Sequence, residues 1–337
     1  MPAGFKVFSK AVVLAFIIAA LNAAALADQL QLKNGDRLTG TVVSKRGNTL
    51  TFNTAYAGEL KIDWDEVAQL DTDSPVDVML KDESHRQLPL QTQAHPTKPD
   101  MPALSDIAYI NPNPEESGRG YRVLGKANFA YTQSEGNSSS DQLHADAEIT
   151  VLARDYRYTI GGELDRASIE GTKADDSRRA YGSYDSFFDK QQFLFVHGQL
   201  QRDPFRDIDL RTVVGGGYGY QFYDTETTRF SLKGGLDRVK LDRYDATTEG
   251  FSALGWHADF SHKLANSDIE LFHVQDGYRG LSKQASVLIQ TRTGFRFPLN
   301  SGLYAMTQLN LDWESDPAPG RRQTDTKLLI GLGYAYD

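Results

Sequence analysis

The chain has 337 residues, a formal charge of −9 at pH 7 and no cysteine. That is long enough for more than one domain, and without a basic patch or stripe to neutralise phosphates it argues against nucleic-acid binding. A mean hydropathy of −0.47, with no membrane-length apolar run past the first thirty residues, excludes a spanning α-helix in the mature chain.

Residues 1–27 read as a signal peptide. Lys6 and Lys10 supply the positive start, Ala11–Leu21 the short apolar core, and Ala25-Leu26-Ala27 an A-x-A cleavage site. Removing the two lysines takes the formal charge to −11. The absence of cysteine argues against a lipid-anchored N-terminus, so the mature chain is expected to be exported free.

Residues 28–90 predict a small periplasmic β domain. Leu30–Leu32, Arg37–Val43, Thr49–Thr54, Glu59–Trp64, Val67–Leu70 and Val76–Leu80 are short extended runs separated by turn signals such as Lys33-Asn34-Gly35-Asp36 and Gly47-Asn48. Such spacing suits a compact SH3-like or Sm-like barrel. Leu30–Asn34 is echoed at Val78–Asp82, and Trp64 is expected in the core. Residues 91–119, punctuated by Pro96, Pro99, Pro102, Pro112 and Pro114, predict a Pro-rich linker.

From residue 120 to residue 337 the pattern changes to long strands. Twelve alternating segments run roughly 121–133, 141–153, 155–167, 178–189, 192–203, 210–223, 228–240, 249–263, 268–276, 282–298, 302–315 and 323–336. In the sixth, Leu210, Thr212, Val214, Gly216, Tyr218, Tyr220 and Phe222 share one face, and Arg211, Gly215, Gly219 and Gln221 the other. Period-two alternation over this length is what a tilted strand between lipid and an aqueous or polar interior requires. The connections alternate long and short, as in outer-membrane barrels with short periplasmic turns and longer outer loops. Ser168–Ser177 is among the expected long loops, and Arg154 marks a short turn. Aromatics near the short turns, Tyr156, Tyr158, Phe187, Phe188, Phe193, Phe195, Tyr220, Phe222, Phe295 and Phe297, predict an interfacial girdle. The ninth segment, around Asp268–Asp276, alternates too poorly to assign its faces. The fold expected is therefore all-β: a twelve-stranded antiparallel transmembrane barrel behind a small periplasmic β domain.

Several stretches carry a resemblance. Leu210–Tyr220 with its Gly215-Gly216-Gly217-Tyr218-Gly219-Tyr220 run, Asp237–Lys240, Ser315–Gly320, Thr324–Thr326 and Gly331–Tyr334 resemble the salt-induced outer-membrane protein family, a domain of unknown function. The opening Leu32–Gly40 resembles an N-terminal module attached to that family. The resemblance implies an outer-membrane barrel and a connection with salt or osmotic stress, and it brings no active site to carry over.

Catalytic and metal chemistry find little support. The glycine run lacks the following Lys-Ser/Thr and helix of a phosphate loop. The histidines His144, His197, His257, His262 and His273 invite a lipid-hydrolase reading, with His144/Asp146 and His257/Asp259 sharing faces, but no serine is placed as a nucleophile. Asp203, Asp207 and Asp209 have no fixed cation-ligand spacing. No catalytic residue, cofactor or metal site is assigned. The lumen-lining candidates are Arg122, Lys126, Glu148, Arg157, Glu163, Arg211, Lys233, Asp259, Arg292, Arg296 and Asp312, with Asp165 and Lys327 on the same face. Their mixed signs allow either a narrow passive channel or a structural barrel. The alternatives are a lipid-modifying hydrolase and a plugged barrel anchoring a partner-binding domain. Expected partners are outer-membrane lipid and lipopolysaccharide, the barrel assembly machinery, and a periplasmic protein or envelope component docked on residues 28–90.

Overall fold

The computed structural model describes residues 27–93, 101–136, 139–225, 227–245, 247–265, 267–282 and 286–336. The signal peptide lies outside them but for Ala27. The chain divides into two compact units, with the boundary between Asn113 and Pro114.

The first unit is built from nine short strands: β1 (Asp28–Leu32), β2 (Arg37–Arg46), β3 (Thr49–Thr54), β4 (Gly58–Asp63), β5 (Val67–Asp71), β6 (Val76–Leu80), β7 (His85–Leu88), β8 (Gln91–Gln93) and β9 (Ile107–Ile110). β1 pairs with β2 and β5, β2 with β3 and β3 with β4, and a 3₁₀ turn at Trp64–Glu66 leads into β5. This is the SH3-like arrangement expected from the strand spacing. Leu30, Leu50, Phe52, Leu70, Val78, Ile107 and Ile110 are sealed in its core. Trp64 joins them, its Nε1 donating to the Leu104 carbonyl at 3.3 Å with Lys45 Nζ 5.1 Å from the ring.

The stretch read as a linker departs from that expectation. β8 pairs with β5 and β9 pairs with β6 and β2, so residues 91–93 and 107–110 belong to the sheet. Leu104, Ile107 and Ile110 fill the core that a domain ending at residue 90 would leave open. Pro96 and Pro99 lie outside the described residues; Pro102 and Pro112 flank Leu104–Ile110, where a Pro without an N–H interrupts pairing without preventing burial of its neighbours.

The weak echo between Leu30–Asn34 and Val78–Asp82 has a structural counterpart. Leu32 N–H bonds the Asp36 carbonyl at 2.9 Å, and Leu80 N–H bonds the Ser84 carbonyl at 2.9 Å. Lys33 N–H bonds Glu66 just before β5 at 2.8 Å, and Lys81 N–H bonds Asp106 just before β9 at 2.9 Å. Each half is thus a hairpin held to the 3₁₀ turn (Trp64–Glu66 or Leu104–Asp106) that precedes its closing strand.

The second unit begins with a one-turn helix at Pro114–Ser117 and is otherwise a closed antiparallel barrel. Among the described residues its twelve strands are β10 (Arg122–Ser134), β11 (Ser140–Leu152), β12 (Tyr156–Ile169), β13 (Thr172–Phe187), β14 (Gln192–Asp203), β15 (Ile208–Asp224), β16 (Thr228–Asp242), β17 (Glu249–Lys263), β18 (Glu270–Gly280), β19 (Val287–Asn300), β20 (Leu303–Glu314) and β21 (Thr324–Tyr336). Each pairs with the next, and β21 returns to β10 through Gly125↔Tyr336 to Phe129↔Leu332. Closure leaves no unpaired edge.

Burial is inverted relative to a water-soluble protein. Outward side chains are apolar and exposed: Leu328, Ile330, Leu332, Tyr334 and Tyr336 on β21, and Leu194, Val196 and Leu200 on β14. Inward side chains include buried Asn128, His144, Asp165, Arg179, Asp185, Arg211 and Glu314. Outer aromatics pack in chains, Tyr156–Tyr158–Tyr184 and Tyr220–Phe222–Phe230–Phe260.

Three local expectations differ from the structure. Phe193 and Phe195 are buried on the inner face, with Phe187 paired opposite Phe193 on the same face; all three pack with the lumen charges and do not belong to the outer girdle. The expected long loop Ser168–Ser177 is a two-residue turn, Glu170-Gly171, with both residues at positive φ. Its polar residues lie on strands that continue past the apolar zone. In β18 the register puts Glu270, Phe272, Val274, Asp276 and Tyr278 inside, leaving His273 and Gln275 outside. His273 Nδ1 lies 2.7 Å from the Thr293 hydroxyl, and Trp256 Nε1 donates to Gln275 Oε1 at 2.9 Å, so these polar groups are satisfied on the wall itself. At the turn before β14, Asp189 accepts the backbone N–H groups of Gln191 and Gln192. Those bonds hold its carboxyl below the usual carboxylate range.

Candidate functional site in the barrel lumen

The inner faces meet across the bore. β15 and β20, β14 and β19, and β12 and β19 each stand five places apart in the ring of twelve, close to diametrically opposed. Arg211 Nη2 on β15 donates to Glu314 Oε2 on β20 at 2.9 Å. Gln199 on β14 donates to Gln290 on β19 at 3.2 Å, and Arg292 on β19 donates to Glu163 on β12 at 2.8 Å.

At the end of the barrel that holds Arg122 and Tyr336, Arg157 and Lys233 converge on Asp185, which is fully buried. Arg157 Nε reaches Asp185 Oδ2 at 2.8 Å, and Lys233 Nζ reaches Oδ1 at 2.7 Å. Phe193 lies under both cations, and Phe195 under Lys233. Beside them Lys126 pairs with Glu148 at 2.8 Å, which also accepts the Tyr181 hydroxyl at 2.7 Å. Arg296 pairs with Glu270 at 2.9 Å and stacks 4.0 Å from the Phe272 ring centroid.

Halfway along, His197 Nε2 sits 2.6 Å from Asp237 Oδ1 and stacks on Tyr278. Glycine makes that possible. A Cβ at Gly215 or at Gly255 would occupy the space of the Asp237 carboxylate. Above this pair Val213, Val239, Ala253, Tyr278 and Leu288 form an apolar cluster inside the lumen.

The end remote from Arg122 and Tyr336 carries a cluster of paired charges. Glu314, with its side chain only 3% exposed, accepts Arg206 at 3.2 Å, Arg211 at 2.9 Å and Arg243 at 3.2 Å. Arg206 comes from the 3₁₀ turn Pro204–Arg206 between β14 and β15 and also grips Asp312 and Asp325. The turn is internally braced. Asp203 caps it through the N–H groups of Phe205 and Arg206, and Asp207 accepts the N–H groups of Tyr244 and Asp245. Asp209 lies 3.7 Å from Arg202. The three aspartates of this loop therefore each serve a different partner.

Of the remaining lumen candidates, Arg122 pairs with Glu115 at 3.0 Å. Asp259 shares the inner face opposite Ser231 but is exposed. Lys327 bridges Asp165 and Asp175. Alternation puts Glu314 on the polar face with Asp312, but neither it nor Arg206 and Arg243 is among the lumen candidates read from the sequence.

One cluster has metal-ligand chemistry: His144, Glu163 and Asp165 offer atoms within 4.8 Å of one another. Asp165 Oδ1 lies 2.9 Å from His144 Nδ1, and Asp146 Oδ1 lies 3.0 Å from Nε2. Hydrogen bonds from both ring nitrogens to carboxylates need a proton on each. With that imidazolium, His144, Arg179, Arg292 and Lys327 balance Asp146, Glu163, Asp165 and Asp175 four to four. A divalent ion would have to displace a proton and share its ligands with three resident cations, so the donor set fits a proton better than a metal. Ser177 Oγ donates to Asp165 Oδ2 at 3.2 Å, on the far side of the carboxylate from the imidazole. That order cannot activate the serine as a nucleophile.

The family model described as "Protein of unknown function, DUF481" matches residues 127–336. The chain belongs to this family. An uncharacterized relative from Escherichia coli (strain K12), YdiY, is 22% identical over 219 residues, 63% of this chain and 82% of the relative. Among solved structures, the translocator domain of the autotransporter NalP from Neisseria meningitidis aligns with a TM-score of 0.37 and 14% identity, covering 64% of this chain and 88% of that one. The NanC porin aligns with a TM-score of 0.38 and 9% identity, covering 63% and 98%.

Proposed function

We propose that this family member is an outer-membrane barrel whose bore is closed by its own side chains, a non-catalytic envelope protein that carries its N-terminal β domain on the periplasmic side. The apolar outer face supports the membrane reading. A twelve-residue strand such as β20, at ~3.3 Å per residue and a tilt of ~40°, rises roughly 30 Å, enough for an outer-membrane apolar band of ~25 Å. The observation that carries the closed-bore reading is the set of cross-lumen bonds, Arg211–Glu314, Gln199–Gln290 and Arg292–Glu163 above Lys233–Asp185. Opposite charges paired across a filled interior block ions, whereas a passive channel needs an unbroken wet path. The non-catalytic reading rests on the barrel histidines, whose hydrogen-bond partners among the described residues are carboxylates and threonine hydroxyls. Planar-bilayer recording of the purified protein tests the proposal. A silent membrane is expected, and stepwise conductance from the wild-type protein would refute it.

A further inference from the structure

The outer face of the barrel is apolar along most of its height, but on one side of the ring it turns basic at the end remote from Arg122 and Tyr336. There Arg178 on β13 and Arg202 on β14 are register partners. Their chain neighbours Arg179 and Gln201 are buried on the lumen side, so both guanidinium groups stand on the outer face, each side chain 54% exposed. Arg166 on β12 and Lys173 on β13 are exposed beside them. On β10, β11, β20 and β21 the outward positions at this end hold Gln133, Asp141, Trp313 and Thr324, none of them basic.

Carboxylates are fewer than cations in the ion pairs of this patch. Asp176 takes three partners, Lys173 at 3.0 Å, Arg178 at 3.4 Å and Arg166 at 3.8 Å. Arg202 has Asp209 at 3.7 Å, and its Nε donates to the Tyr244 hydroxyl at 2.7 Å. Four cations thus meet two carboxylates, and two of the cations face one another directly across neighbouring strands, a placement that repels on its own. The wall beside and below the patch is apolar. Leu164 is the register partner of Arg178 and Ala180 that of Leu200, and Ile160, Val196 and Leu200 are each at least half exposed.

We propose that this patch binds lipopolysaccharide, with one of its phosphates between Arg178 and Arg202 and its acyl chains on the apolar rungs of β12–β14. A phosphate monoester carries nearly two negative charges at neutral pH, which matches the two unpaired cations, and its oxygens suit the guanidinium fork. A soluble phosphate would answer the arginines and leave the apolar rungs bare. A lipid with a phosphorylated headgroup answers both, because its charge lies directly above its chains. The inference rests on the outer-membrane reading, which puts this end of the barrel in the outer leaflet. It fails separately, since lipid affinity is read on purified protein and closure by conductance.

The test titrates the full chain in zwitterionic detergent micelles with bis-phosphorylated lipid A, with the same lipid A stripped of phosphate, and with phosphatidylglycerol. Bis-phosphorylated lipid A is expected to bind with a Kd at least tenfold below both of the others. Arg178→Gln and Arg202→Gln are each expected to weaken that binding tenfold or more. Lys240→Gln removes the same charge from β16, where Lys240 has its own carboxylate in Asp242 at 2.8 Å, and should change the Kd less than threefold. Heat-modifiable gel migration reports whether each variant is folded, and the comparison of lipids on the wild-type protein decides the matter even where a variant does not fold. Equal affinity for phosphatidylglycerol, binding kept after phosphate removal, an unchanged Kd in the folded arginine variants, or an equal loss in Lys240→Gln would overturn the proposal.

Discussion

Replacing Glu314 with alanine removes the one carboxylate on which Arg206, Arg211 and Arg243 converge at 2.9–3.2 Å. Arg206 keeps Asp312 and Asp325, and Arg243 keeps Glu249 at 3.4 Å, whereas Arg211 is left with a single neutral acceptor, Gln201 Oε1 at 3.3 Å. Arg211 is as buried as its lost partner, and its Nε already has no hydrogen-bond partner among the described residues. Stranding a charge of that kind costs about 3–5 kcal/mol, and because the other two arginines retain carboxylates the three losses are not additive. A loss of about 3–4 kcal/mol is therefore expected, read as a lowered urea midpoint for unfolding from lipid vesicles at unchanged slope. Asp209→Ala is the control. Its partner Arg202 is 3.7 Å away and both side chains are about half exposed, so the change should stay within the ~1 kcal/mol of a surface pair. Equal midpoint shifts for the two variants would refute the view that the Glu314 hub is a buried, mutually dependent closure.

Gly255→Ala should displace the Asp237 carboxylate from His197, at an overpacking cost of about 1–3 kcal/mol, seen as a lower temperature for loss of the heat-modifiable band. A chain of residues 28–113 should unfold cooperatively by Trp64 fluorescence, whereas 28–90, lacking Leu104, Ile107 and Ile110, should not; a cooperative 28–90 would show β9 to be dispensable. Within 28–113, Phe52→Ala should cost about 3–5 kcal/mol, because the ring is fully buried. In intact cells a maleimide should label Lys173→Cys and spare Lys190→Cys, which lie at opposite ends of β13; the reverse pattern would invert the membrane topology.

The sequence by itself determined the strands of the barrel and which residues share a face. A two-residue period is local, and each β-strand imposes it whatever its neighbours do. The β21 face Leu328, Ile330, Leu332, Tyr334 and Tyr336 was legible for that reason, and so were the six short strands read between Leu30 and Leu80. Periodicity failed where a strand had no apolar face to mark. In β18, the register with β17 and β19 decides which side His273 and Gln275 take, and their hydrogen bonds come from Thr293 and Trp256 on those neighbours. Prolines hid β9, because they signal a break in pairing and say nothing about the burial of Leu104 and Ile107 beside them.

Only the tertiary structure decided which of the mixed lumen charges pair with one another. Arg211 and Glu314 are separated by 103 positions and Glu163 and Arg292 by 129, and no local pattern links them. Closing twelve strands into a ring brings such residues within reach of one another, and in a low-dielectric interior they must pair. The same closure turned Phe187, Phe193 and Phe195 inward beneath Arg157 and Lys233.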